Sequence, residues 1–297
     1  MPRLRSRLKP RSLARSLFCR LPLPGVKRPV FIVGCGRSGT TIFGTALSRH
    51  DAVTYLNERR DLWFSAFPET DIWSRKAVRR GGRLCLDEQH ADPVRSRKLA
   101  RLFRFETLRR RRPILVEKLP INNFRLPFIR AAFPDARFIH IYRNGLEVAR
   151  SIERFKAEKP WFGADGYKWQ RLAHFAGSHP DYASLAPHCL SDFQRGLLEW
   201  RMSTEAVVDF LATLPPEDFM EISYGELMSR PCETLEWVQD FIGLERDPAV
   251  AGFARQALSR RSEPVGGEDF PDELRTLGGP LLPKSMAGFG GLVAGLG

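Results

Sequence analysis

The chain has 297 residues, 43% of them hydrophobic, and 47 Lys and Arg against 34 Asp and Glu, a net charge of +13. That length and composition bury a sizeable core without disulfide or metal staples, which excludes the disordered and the small stapled classes. No run of about 18 apolar residues occurs, so no membrane-spanning helix is expected, and the basic excess favours anionic partners.

The excess is uneven. Residues 1–28 hold Arg3, Arg5, Arg7, Lys9, Arg11, Arg15, Arg20, Lys27 and Arg28 and no acid, and further basic runs lie at 75–83 and 109–112. Arg20 interrupts the one apolar stretch that would serve as a secretion signal. Residues 1–28 therefore read as a basic arm. It has the acid-poor composition of a transit peptide and equally suits an anionic membrane surface or a loosely packed segment. The five cysteines (Cys19, Cys35, Cys85, Cys189 and Cys232) are odd in number and scattered, without a Cys-x-x-Cys pair. That argues against a disulfide framework or a zinc site and for a reducing, cytoplasmic setting.

In chain order, residues 29–34 (Pro-Val-Phe-Ile-Val-Gly) are a short apolar run ending in glycine and predict a buried parallel strand. Residues 39–50 follow with helical spacing. Strands are predicted at 113–117, 136–142 and 218–223, and helices at 126–133, 146–155, 193–214 and 231–242. Residues 156–192 mix Trp161, Phe162, Tyr167, Trp169, Phe175 and Tyr182 with Gly, Pro and His, and predict an irregular lid or acceptor-side insert. Alternating strands and helices predict one α/β domain over 29–297, a parallel sheet with helices on both faces. Ligands of such sheets sit at the carboxyl ends of the strands, which directs attention to the loops at 34–41, 117–123 and 143–145.

The loop Gly34-Cys35-Gly36-Arg37-Ser38-Gly39-Thr40-Thr41 runs from strand to helix, where backbone amides and a helix N-terminus cradle a phosphate. Three readings compete. A nucleoside triphosphatase loop needs Lys where Thr40 stands, so nothing would reach β- and γ-phosphates, which disfavours a kinase. A dinucleotide fingerprint matches at Gly34, Gly36 and Gly39, with Glu58 near the distance of a ribose-binding acid, and would make a dehydrogenase. In the third, Arg37-Ser38-Gly39-Thr40-Thr41 resembles the 5′-phosphosulfate loop of the sulfotransferases that use 3′-phosphoadenosine-5′-phosphosulfate (PAPS), specifically the bacterial-type members resembling the Glu-base carbohydrate and tyrosylprotein branches.

That resemblance extends through the chain and implies a P-loop-type sheet. The loop residues Gly36, Arg37, Ser38, Gly39, Thr40 and Thr41 would hold the 5′-phosphosulfate, with Arg37 supplying a cation near the P–O–S bridge. Tyr142-Arg143-Asn144-Gly145 with Ser151 resembles the family's 3′-phosphate element, in which Arg143 and Ser151 would hold the second phosphate; Arg154 departs by one residue from the spacing of a third member. A guanidinium and a hydroxyl suit a phosphate chemically. Val116-Glu117-Lys118-Leu119-Pro120 resembles the Glu-Lys-x-Pro element, in which the Lys contacts the transferring group. Glu58 falls where those branches place a catalytic Glu. Glu58 is accordingly read as base and Lys118 as second cation, with Glu117 as alternative base or as the partner of Lys118; the competing reading of Glu58 is a plain ion pair with Arg59, Arg60 or the Arg125 region. No His stands near 118, unlike the cytosolic small-molecule branch. Residues 221–231 and 241–244 resemble a further family element in which Tyr224 would touch the nucleotide, although Gly225 replaces the usual Glu and Glu226 stands one place on. Lys284 and Arg260–Arg261 are candidates for a basic loop closing the site.

Sulfuryl transfer needs a base for the acceptor proton and positive charge at the leaving phosphate oxygen. A sulfuryl group carries less charge than a phosphoryl group, so no metal is required. The expected acceptor is a hydroxyl or amine on a carbohydrate, lipid or small molecule, and the expected product is 3′,5′-adenosine bisphosphate. The rival from another class is a basic polyanion-binding module. No nucleic-acid-binding motif supports it, and nucleic acid is not an expected partner.

Overall fold

The computed structural model describes residues 14–15, 17–74, 76–155, 160–163, 165–258 and 276–279. Five strands, β1 (Val30–Val33), β2 (Val53–Asn57), β3 (Ile114–Lys118), β4 (Arg137–Tyr142) and β5 (Phe219–Ser223), form one sheet in the order β2-β3-β1-β4-β5. All neighbours are parallel. The four strands expected from sequence are present. β2 is the addition: its Val-Thr-Tyr-Leu-Asn is too short and too polar to stand out without the β3 edge it pairs with.

The sheet is a P-loop-type layer between two helical layers. β1 sends Phe31 and Val33 to one face and Val30 and Ile32 to the other, because successive side chains of a strand point oppositely. The first face packs against α2 (Arg60–Ala66), α3 (Pro93–Arg110), α4 (Leu126–Ala132), α5 (Gly145–Glu153) and α7 (Asp192–Leu211). The second packs against α1 (Thr40–Leu47), α8 (Tyr224–Ser229), α9 (Pro231–Ile242) and α10 (Pro248–Ala257). Phe31, less than 2% exposed and touching the rings of Trp63, Phe133 and Phe138, ties the first layer to the sheet. Burial of such a ring contributes about 2 kcal/mol.

Local chemistry starts the helices that matter to the site. Asn144 Oδ1 accepts from the amides of Leu146 and Glu147 and caps α5. Ser191 and Gln194 form a capping box on α7, and Ser223 and Glu226 form one on α8. Glu226 thus serves as a helix cap. α3 was not expected: Arg95, Arg97, Lys98, Arg101, Arg104, Arg109 and Arg110 are spread around it, which hides the apolar stripe of Leu99, Leu102 and Phe103 from a periodicity reading. Its start is nevertheless written in Asp92-Pro93, where the Asp92 carboxylate accepts from the Arg95 amide. Among the described residues of the 156–192 stretch is a helix, α6 (Tyr167–Gly177). No helix among the described residues is long and apolar enough to cross a membrane. Residues 1–13 of the basic arm, Arg260, Arg261 and Lys284 lie outside the described residues.

Candidate active site

Every strand delivers a polar residue to the carboxyl edge of the sheet. β1 leads into the loop 34–39, β2 into Glu58, β3 ends in Lys118, β4 is followed by Arg143, and β5 by Tyr224. Parallel pairing brings these ends together.

The loop turns under constraint. Gly34 and Gly39 have φ of 136° and 92°, and Arg37, although not glycine, has φ of 75°. A Cβ on Gly34 would sit 2.1 Å from the Ile141 carbonyl oxygen, and one on Gly39 would sit 2.5 Å from the Tyr224 ring, so both positions exclude side chains. The Gly34 amide donates to Asn123 Oδ1 at 3.0 Å, fixing the loop's entrance. α1 begins immediately after Gly39 with no side-chain cap, leaving its first amides directed at the loop. The Ser38 hydroxyl is buried without a hydrogen-bond partner. A buried hydroxyl lacking a partner beside an uncapped helix N-terminus fits an anion.

The loop and the residues after β4 are in contact. Arg37 Nε donates to Ser151 Oγ at 3.0 Å, and Arg143 donates to the Arg37 carbonyl at 3.4 Å. The Arg143 guanidinium lies 4.2 Å from the centre of the Tyr224 ring, and its Nε is held by Glu147 at 2.6 Å. The Arg143 carbonyl accepts from Trp200 Nε1 at 2.9 Å. Arg37, Ser38, Gly39, Arg143, Ser151 and Tyr224 are therefore one cluster. Arg154 is exposed at the end of α5.

The three carboxylate and ammonium candidates separate. Leu56 pairs in register with Glu117 and Asn57 with Lys118, so Glu58 emerges beside the end of β3, its amide donating to the Lys118 carbonyl at 2.8 Å. Lys118 Nζ bridges Glu58 Oε1 and Thr41 Oγ1, each at 2.8 Å. Arg60 holds the other Glu58 oxygen at 2.8 Å. Burial alone would raise the Glu58 carboxyl, but the Lys118 ammonium and then Arg60 outweigh it and hold it below the ordinary carboxylate value. Glu117, one residue earlier and so on the opposite face, accepts from Trp63 Nε1 at 2.9 Å and Asn122 Nδ2 at 3.4 Å. Burial among apolar groups raises its carboxyl to about 8, against the opposing pull of the Trp63 bond and Lys118. Arg125, considered as a partner for Glu58, is instead buried on the carbonyls of Thr70, Arg83 and Leu84. Arg59 pairs with Asp61.

Glu58, Arg37 and Arg60 line a cavity of about 360 Å³ walled by Trp73, Phe155 and Trp161. Glu117 is not among its walls. The Arg60 guanidinium stacks 4.1 Å over Trp73, and its Nε is buried without a partner. Sequence reasoning named Arg60 as a partner for Glu58, the pair the structure forms, but did not single out Trp73, Lys168, Glu199 or Trp200. Lys168 and Glu199, 31 residues apart, are joined solely by the fold.

Residues 29–248 match a family model described as "Sulfotransferase family". A protein of Aquifex aeolicus (strain VF5) described as uncharacterized is 25% identical over 239 residues, covering 76% of this chain; the chain spans only 27% of that relative's length. Among solved structures, the sulfotransferase domain of the Synechococcus PCC 7002 olefin synthase aligns with a TM-score of 0.51 at 15% identity, covering 87% of this chain and 95% of that one. Sulfotransferase STF1 from Mycobacterium tuberculosis H37Rv aligns with a TM-score of 0.50 at 15% identity, covering 83% and 74%. At these identities the structures speak for the fold alone.

Proposed function

The chain belongs to the sulfotransferase family, and we propose that it moves a sulfuryl group from PAPS to a hydroxyl or amine acceptor, with Glu58 as base. The observation that carries this reading is the run Thr41–Lys118–Glu58, two hydrogen bonds of 2.8 Å that join the start of α1 to a carboxylate facing an open cavity. Such a run puts a base, a cation and an anion cradle within one site, which is what in-line transfer to an acceptor needs.

PAPS supplies an activated sulfuryl group on a 5′-phosphate, together with a 3′-phosphate. On the 5′ side, the residues suited to hold it are Gly36 to Thr41, with the partnerless Ser38 hydroxyl as a donor in waiting. On the 3′ side they are Arg143, kept in place by Tyr224 and Glu147, and Ser151. Lys118 and Arg60 hold Glu58 below the ordinary carboxylate value against the effect of burial, so it keeps its charge while facing the cavity and is placed to take the acceptor's proton. Arg37 and Lys118 provide positive charge on the loop side. Glu117 is protonated at neutral pH and bound on both oxygens, which suits a support for Trp63 and the β3 end rather than a base.

The cavity walls of Trp73, Phe155 and Trp161 offer flat apolar faces beside Glu58, a setting suited to the ring faces of a sugar, which makes carbohydrate or glycolipid the acceptor class we favour. The basic arm would add contact with an anionic membrane surface.

The test is thermal unfolding with 3′,5′-adenosine bisphosphate in EDTA, run beside Mg-ATP, NAD and 5′-AMP. At about 100 times its dissociation constant the bisphosphate should stabilise the protein by roughly 2.7 kcal/mol, and Arg143→Ala should abolish the shift. A shift with NAD or Mg-ATP and none with the bisphosphate would overturn the reading.

A further inference from the structure

Gly36 is the one glycine of the loop motif whose backbone does not require glycine: its φ is not in the left-handed region. A Cβ there would instead lie 2.4 Å from Cη2 of Trp161. The missing side chain makes room for the edge of an indole that arrives from the other side of the cleft.

That indole is held from behind. Trp161 Nε1 donates to Glu199 Oε2 at 2.7 Å, and Lys168 Nζ meets Glu199 Oε1 at 2.6 Å. The Lys168 ammonium also lies 4.1 Å from the Trp161 ring centre and 5.4 Å from that of Phe162. Glu199 is 3% exposed and Lys168 4%. Two opposite charges buried this deeply depend on each other, since either alone would be an uncompensated charge out of water. Trp161 is thus fixed by a carboxylate that has no freedom to move elsewhere.

Glu199 sits on α7, and the same helical turn holds the rest of the site. Trp200 donates to the Arg143 carbonyl, and Ser203 accepts from Asn123, whose Oδ1 holds the Gly34 amide. One turn of α7 therefore sets the loop entrance, the Arg143 turn and the aromatic wall in a common frame.

We infer that Glu199 is a positioning residue: through Trp161 and Lys168 it clips the aromatic wall over Gly36 and so shapes the acceptor side of the cavity that Glu58 faces. What that wall meets rests on the transferase reading above; the clip itself does not.

The test is acrylamide quenching of Trp161, isolated in each background by difference from Trp161→Phe, with 3′,5′-adenosine bisphosphate titrated into each protein. Trp161, a half-buried wall of the cavity, should be quenched to an intermediate extent in the parent, which sets the reference. Glu199→Gln keeps an acceptor for the indole N–H but strands the Lys168 charge, and should expose Trp161 markedly. Adding Lys168→Met removes the stranded charge and should return quenching to the parent value, a rescue that a purely bulk role for Glu199 does not give. This pair also keeps the test alive should the single variant fold poorly. Bisphosphate affinity should stay within about threefold throughout, because the bonds from α7 that brace the loop entrance and the Arg143 turn come from Ser203 and Trp200 and not from Glu199; with an acceptor in hand, its KM should rise while kcat changes little.

Unchanged quenching in Glu199→Gln, or no rescue in the double variant, would overturn the clip. A loss of bisphosphate affinity well beyond that range would overturn its assignment to the acceptor side. Failure of the parent to bind the bisphosphate would remove the transferase reading and leave the quenching result to decide the clip on its own.

Discussion

Glu58 and Glu117 are the same side chain in opposite circumstances. Glu58 is half-buried between Lys118 and Arg60 and stays ionised; Glu117 is fully buried against Trp63 and keeps its proton. Glu58→Gln should retain bisphosphate binding and lose turnover by about 10²–10⁴-fold, the usual worth of a general base, measured with labelled PAPS and an acceptor found by screening. Turnover in Glu117→Gln that collapses while Glu58→Gln stays active would reverse the assignment. Glu117 makes a separate prediction about stability. Its native value of about 8 lies above the ordinary 4.5, so between those pH values the folded protein binds a proton that the unfolded chain has released. Stability contributed by this group is present below pH 4.5 and is lost as pH rises through 8. Glu117→Gln, which cannot ionise, should remove that part of the decline, a difference on the order of a few kcal/mol by pH 9. Denaturant unfolding of both proteins across that range is the check.

The element that organises the nucleotide side is the strand–loop–helix from β1 to α1, braced by α7 and α8. Gly39→Ala would force a side chain into the left-handed region and against Tyr224. It should cost about 1–3 kcal/mol of stability and weaken bisphosphate binding, because the Tyr224 ring that would be displaced also supports Arg143. Trp200→Phe removes the bond to the Arg143 carbonyl and should cost about 1 kcal/mol of bisphosphate affinity through a looser turn at 143–145. An equal loss of affinity for 5′-AMP, which lacks a 3′-phosphate, would contradict that route.

Across the whole molecule, the +13 charge and the cations gathered at one edge of the sheet set up a field that draws anions to the site. Bisphosphate association measured by stopped flow should slow by about tenfold between low and roughly 0.5 M salt, since the Debye length shrinks toward a few ångström. The sequence by itself determined the parallel α/β plan and the loop 34–41, because buried strands and tight glycine turns leave local traces in composition. It also placed Arg143, Ser151, Glu58 and Lys118 as candidates, through resemblance and not through any contact visible in the chain. Only the tertiary structure decided which of two carboxylates faces the cavity: Glu117 and Lys118 are neighbours in sequence, yet strand alternation sends them to opposite faces, and the β2–β3 register delivers Glu58 to Lys118. Only the fold, too, brought Lys168 and Glu199 together behind Trp161. Pairs that distant leave no periodic trace, because their spacing is set by how helices and loops pack and not by the repeat of any one element.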